Sequence, residues 1–130
     1  MKLVFDTNIF ISAFVIPHSK AEKALLKIIE AKDRLIISKD IINEILSVLS
    51  KKFHRDREAL SHIAFYLSEI AQTIETAVKL NVLKDDPDNR ILECAISGNA
   101  DAIVTGDKAI LGLRQFKGIK MMSLKEYLEV

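Results

Sequence analysis

With 130 residues, 49% of them apolar and 28% charged, the chain lies far from the disordered class and has the size of one globular domain spanning residues 1–130. Such a chain buries roughly two-thirds of the surface its unfolded form exposes, so neither a disulfide nor a metal is needed to explain folding. The formal net charge of +1 argues at first against a nucleic-acid partner. The single cysteine, Cys94, fits a reducing compartment and reads as a small core residue. No apolar run reaches membrane-spanning length, and Leu3-Val4-Phe5 is too short for the core of a signal peptide, so a cytoplasmic location is expected.

Taken in order, Lys2 to Phe5 is an apolar run stopped by Asp6-Thr7-Asn8, which predicts a short buried strand. A helical turn follows through Phe10 and Ala13. Pro17 breaks it, and Ser19 is placed to cap a helix carrying Ala24, Leu25, Ile28 and Ile29. Arg34 to Ser38 is the second strand, with Ser38 as cap of a helix in which Ile41, Ile42, Ile45, Leu49 and Phe53 recur at helical spacing. A longer helix is predicted from Asp56 to about Ala71, and the next strand lies either at Thr73 to Ala77 or near Val82. Asp85 to Asn89 makes a turn opening a helix through Ile91, Leu92, Ala95 and Ile96, closed by Gly98 and Asn99. Ala102 to Thr105 is a strand, Gly106-Asp107 opens a short helix through Ile110 and Leu111, Gly118 to Met122 is the last strand, and Ser123 caps a terminal helix. Short apolar strands alternating with helices predict the α/β class, as a three-layer α/β/α sandwich around a central parallel sheet.

In open parallel sheets the functional crevice lies beyond the carboxyl ends of the strands. Asp6 and Asp107 both follow such ends, and Asp88 opens a helix whose downstream strand leads to Asp107. Glu44 sits in the second turn of a helix leaving another strand, beside its apolar stripe. Singly, each Asp could be a helix cap and Glu44 a solvated charge. Gathered together they would repel one another unless a cation sat among them. His18, His54 and His62 show no ligand spacing, so an all-oxygen set suits Mg²⁺ or Mn²⁺ rather than zinc. The implied chemistry is hydrolysis at phosphorus by metal-bound water, with one ion or two left open. Setting the four acids aside leaves 19 basic residues against 14 acidic, a surplus that could attract phosphates. Thr7, Asn8 and Thr105 are placed to support the acids. Lys39, Arg90 and Lys108 lie close enough in sequence to contact a nucleic-acid backbone, although solvated surface is the commoner fate of each, as it is for the basic run from Lys51 to Arg57.

FDTNIFISA at 5–13, the Glu44 helix, DPDNRILECA at 86–95 and ADAIVTGDKAIL at 100–111 carry a resemblance: the chain resembles the PIN domain family over essentially its whole length. In particular it resembles the branch described as toxins of bacterial and archaeal toxin–antitoxin systems. The resemblance implies a PIN-like, Rossmann-like fold and a Mg²⁺- or Mn²⁺-dependent endoribonuclease acting on single-stranded RNA. It also implies a metal shell of Asp6, Glu44, Asp88 and Asp107 with Thr7 or Asn8 and Thr105 nearby, a homodimer, and a cognate antitoxin. Asp85 and Asp86 remain alternatives to Asp88, which is preferred for its place at the helix start. Two rival readings stand beside this one. A haloacid-dehalogenase-type phosphatase or phosphotransfer domain expects an Asp two residues after the first, where this chain has Asn8. A catalytically inactive binding module would have no reason to keep mutually repelling acids.

Overall fold

The computed structural model describes residues 1–130. Its elements in chain order are β1 (Lys2–Phe5), α1 (Thr7–Val15), α2 (Lys20–Glu30), β2 (Arg34–Ser38), α3 (Lys39–Phe53), α4 (Arg57–Ile70), β3 (Ala71–Ile74), α5 (Asp86–Ser97), β4 (Ala102–Val104), α6 (Lys108–Leu111), β5 (Gln115–Phe116), β6 (Ile119–Met122) and α7 (Leu124–Glu129). One six-stranded sheet runs in the order β3-β2-β1-β4-β6-β5. Helices flank it, as the α/β reading requires. β1 is central, pairing in parallel with β2 on one side and β4 on the other, and its Leu3, Val4 and Phe5 are wholly buried. Continuous apolar runs of this kind mark strands covered on both faces.

The helix starts follow from short polar side chains. Ser19, Ser38 and Asp56 each accept a hydrogen bond from an amide in the first turn of α2, α3 and α4 respectively, and Ser123 forms a reciprocal capping box with Glu126 at α7. Behind these caps the apolar stripes face inward: Ile41, Ile45 and Leu49 of α3 are fully buried, as are Leu92, Cys94 and Ala95 of α5.

The central sheet is parallel as expected, with one antiparallel pair, β5 on β6, added at an edge. Two expectations are corrected. The third strand begins at Ala71, directly from the end of α4, earlier than the Thr73–Ala77 placement, and the stretch near Val82 is not a strand. Ala71 is both the C-cap of α4 and the first residue of β3, its backbone already extended at φ −130°, so no turn residue announces the change. Finally, α5 begins at Asp86 with Asp85 as its N-cap, which puts Asp88 inside the first turn rather than at the cap.

Candidate active site

β1 and β4 are neighbours, and each delivers an acid just past its carboxyl end. Asp6 caps α1 through Oδ1, which accepts a hydrogen bond from the Asn8 amide at 3.3 Å. Its other oxygen, Oδ2, accepts one from the Thr105 hydroxyl at 2.6 Å. Thr105 Oγ1 in turn accepts from the Asp107 amide at 2.9 Å, so one buried hydroxyl joins the ends of the two strands. Asp107 caps α6 with Oδ1 alone, accepting from Ala109 N at 2.8 Å and Ile110 N at 3.1 Å. Capping and membership of the acidic group are therefore compatible, since each cap occupies only one carboxylate oxygen.

The other two acids arrive from separate helices. Glu44 of α3 accepts a hydrogen bond from the Thr7 hydroxyl at 3.3 Å, which ties α3 to the start of α1 beside Asp6. Asp88 is half-buried in the first turn of α5. Its carboxyl is pushed up to about 6, first by burial and then by the charges of Asp107, Asp6, Asp85 and Glu44. Glu44 is raised by burial and by Asp6, with the Thr7 hydrogen bond opposing. Asp6 is raised by burial and by Asp107, against the hydrogen bonds from Thr105 and Asn8. These shared charges bring Asp6, Glu44, Asp88 and Asp107 into one electrostatic group. Asp85 belongs to its margin and Asp86 is exposed.

An open cleft of about 550 Å³ borders this group, lined by Asp6, Asn8, Gly106, Asp107, Lys108 and Ala109. Of the three cations marked in the sequence, Lys108 alone lines it. Lys39 is exposed and paired with Glu75 at 2.7 Å. Arg90 turns toward Glu93, 2.9 Å from its Nε, and toward the Leu80 carbonyl. A second groove of about 390 Å³, lined by residues of α1, α2 and α4, is mostly apolar, with Glu22 and His62 its charged or titratable side chains.

No three His, Cys, Asp or Glu side chains close on each other tightly enough to form a ready cage. The donor set nonetheless fits a hydrated hard cation: Mg²⁺ keeps several of its waters and takes one or two carboxylates directly, and oxygen donors suit Mg²⁺ or Mn²⁺.

Sequence reasoning passed over two buried polar side chains on the helix that carries Asp88. Asn89 and Glu93 of α5 are 0% and 1% exposed. Their signal was present: Asn89, Glu93 and Ser97 recur every four residues along one helix face, opposite a stretch, 75–85, with no periodicity of its own.

Comparison with known proteins places the geometry in a family. A solved structure of VapBC2 from Rickettsia felis, bound to a DNA fragment from its promoter, superimposes with a TM-score of 0.67 at 18% identity, over 95% of this chain and 98% of that one; the likeness is one of fold. An uncharacterized protein of Methanocaldococcus jannaschii, MJ1680, is 33% identical over 118 residues, which cover 88% of this chain and 76% of that protein. The family model described as PIN domain matches residues 2–109, a span that contains every acid described above, and the chain belongs to the PIN domain family.

Proposed function

We propose that the chain is a Mg²⁺- or Mn²⁺-dependent endoribonuclease that hydrolyses single-stranded RNA, with residues 1–130 forming one nuclease domain. PIN domains are generally nucleases, and the observation that carries the reading here is the convergence of Asp6, Glu44, Asp88 and Asp107 from four separate segments, registered in the elevated carboxyl of Asp88. These four carboxylates are the proposed metal-binding and catalytic set. When bound, the ion supplies an acidified water and a counter-charge for the scissile phosphodiester. Thr105 holds the Asp6 carboxylate in one orientation and Thr7 holds Glu44, so both acids are fixed before substrate arrives. Lys108 lines the cleft beside Asp107 and is the cation this reading assigns to a phosphate. Lys39 and Arg90 would first have to leave Glu75 and Glu93, so the reading assigns them lesser parts.

Within this reading the chain is the toxin of a toxin–antitoxin pair with an antitoxin protein as partner, a role in keeping with the VapBC2-like fold; a cytoplasmic location and a homodimeric working form belong to the proposal and rest on the family resemblance alone. No helix is long and apolar enough to cross a membrane.

The deciding experiment incubates purified protein with labelled single-stranded RNA, with and without Mn²⁺, beside Asp6→Asn. The expected result is cleavage that requires Mn²⁺ and disappears in the variant, while the variant stays folded. Cleavage that survives both chelation and the substitution would refute the mechanism. Metal-dependent release of phosphate from a small phosphomonoester, without RNA cleavage, would turn the reading toward a phosphatase.

A further inference from the structure

Residues 75–82, between β3 and α5, have no regular structure, so their amides lack a sheet or helix to satisfy them. Side chains from one face of α5 take that place. Ser97 Oγ accepts from the Ala77 amide at 2.9 Å and Glu93 Oε2 from the Leu80 amide at 2.8 Å. Asn89 makes three bonds: Oδ1 accepts from Val82 N at 3.0 Å and from Leu83 N at 2.8 Å, while Nδ2 donates to the Leu83 carbonyl at 2.9 Å. The segment is thus laced to the helix as a strap, most tightly at the end that leads into Asp85.

That end has a second peculiarity. The N-caps of the other six helices all accept a hydrogen bond from the first turn through their side chains, whereas Asp85, the N-cap of α5, makes none. The first turn of α5 presents Asp88, yet it lacks the usual clamp on a helix start. Asn89, one residue further on, supplies a different clamp. A buried carboxamide held by three bonds has one orientation available, and it fixes the chain entering the helix against the helix itself.

We propose that Asn89 is a positioning residue for Asp88: its lock on Val82 and Leu83 sets the first turn of α5 and so holds the Asp88 carboxylate among Asp6, Glu44 and Asp107. The inference rests on the metal-site reading above. A purely structural role would make any loosening of the strap equivalent, whereas positioning makes the Asn89 end special.

The test compares Asn89→Ala with Ser97→Ala, which releases the far end of the same strap, and with Asp88→Asn. Mn²⁺ affinity of chelator-treated protein is measured by calorimetry at a temperature where circular dichroism shows each variant folded, and amide hydrogen exchange at Leu83 and Ala77 reports which end has been freed. Loss of a residue that orients a metal-binding side chain lowers affinity by about 10- to 100-fold. That loss is expected for Asn89→Ala, with Ser97→Ala unchanged. Should Asn89→Ala not fold, Asn89→Ser keeps a polar group in place but is too short to bridge the strap, and it carries the same expectation. Wild-type affinity in the Asn89 variant, with Leu83 exchange accelerated and Asp88→Asn impaired, would overturn the positioning role alone. Wild-type affinity in Asp88→Asn would overturn the metal-site reading and the positioning role with it.

Discussion

Thr105 serves two partners with one hydroxyl, donating to Asp6 and accepting from the Asp107 amide, at a position with no exposure to solvent. Valine has nearly the same shape and neither capacity. In Thr105→Val the Asp6 carboxyl loses its shortest hydrogen bond, and leaving a buried oxygen without a partner costs about 1–3 kcal/mol. The expected outcome at neutral pH is a stability loss of about 2 kcal/mol in urea unfolding, with Mn²⁺ binding weakened because Asp6 can now rotate. An unchanged unfolding midpoint would show that water replaces the hydroxyl. Asp6 and Asp107 stand past the carboxyl ends of β1 and β4, as the apolar runs before them in the sequence predict. What the sequence did not disclose is that each cap engages a single carboxylate oxygen, and that the second oxygen of Asp6 is taken by Thr105.

α5 illustrates why some elements read cleanly and others do not. Its apolar positions and its closing Gly98 were plain, but the reason for the glycine lies in the packing. The left-handed residue at this end is Asn99, with φ 53°, while Gly98 itself sits at φ −92°. A Cβ on Gly98 would stand 2.8 Å from Ile36 Cγ2 and 3.2 Å from the Cys94 carbonyl oxygen, inside the contact between α5 and β2. Gly98→Ala is therefore expected to destabilise by about 1–3 kcal/mol, the usual cost of overfilling a core. Mn²⁺ affinity should be untouched, because Asp88 stands at the opposite end of the helix; chemical denaturation and calorimetry separate the two effects. The missed elements share a cause. β5 is two residues long, too short to show a period, and Gly118, the second residue of the Lys117-Gly118 turn at φ 50° and 84°, reads in the sequence as the start of the last strand rather than as the corner of a hairpin. The strap before α5 is held by side chains rather than by a backbone ladder, and Asn89 and Glu93 look in sequence like an ordinary solvated helix face.

The acidic group also leaves a mark on the stability of the whole molecule. Asp6, Glu44 and Asp88 all have carboxyls above their ordinary values of 3.8, 4.5 and 3.8, with burial the leading cause in each. In the window between those values and about 6, where Asp88 titrates, the folded protein keeps protons that the unfolded chain has released. The stability that Asp88 contributes is therefore fully present below about pH 4 and is lost as pH rises through about 6, and Asp6 and Glu44 act in the same direction. Asp33 acts in the opposite sense: burial raises its carboxyl, but hydrogen bonds from the Met1 ammonium and the Tyr127 hydroxyl outweigh that and hold it below 3.8. The parent curve mixes both effects, so the informative quantity is the difference between parent and Asp88→Asn. In metal-free protein, urea midpoints taken from pH 4.5 to 7.5 should show the variant gaining on the parent as pH rises through about 6, with the gap levelling off toward the top of the range as Asp88 becomes fully ionised. Mn²⁺ should reverse the order at the upper end, stabilising the parent more than the variant, because the ion binds the deprotonated carboxylate and only the folded state assembles the group. A gap that stays constant with pH would mean that Asp88 titrates alike in both states, and that the four acids do not act on one another.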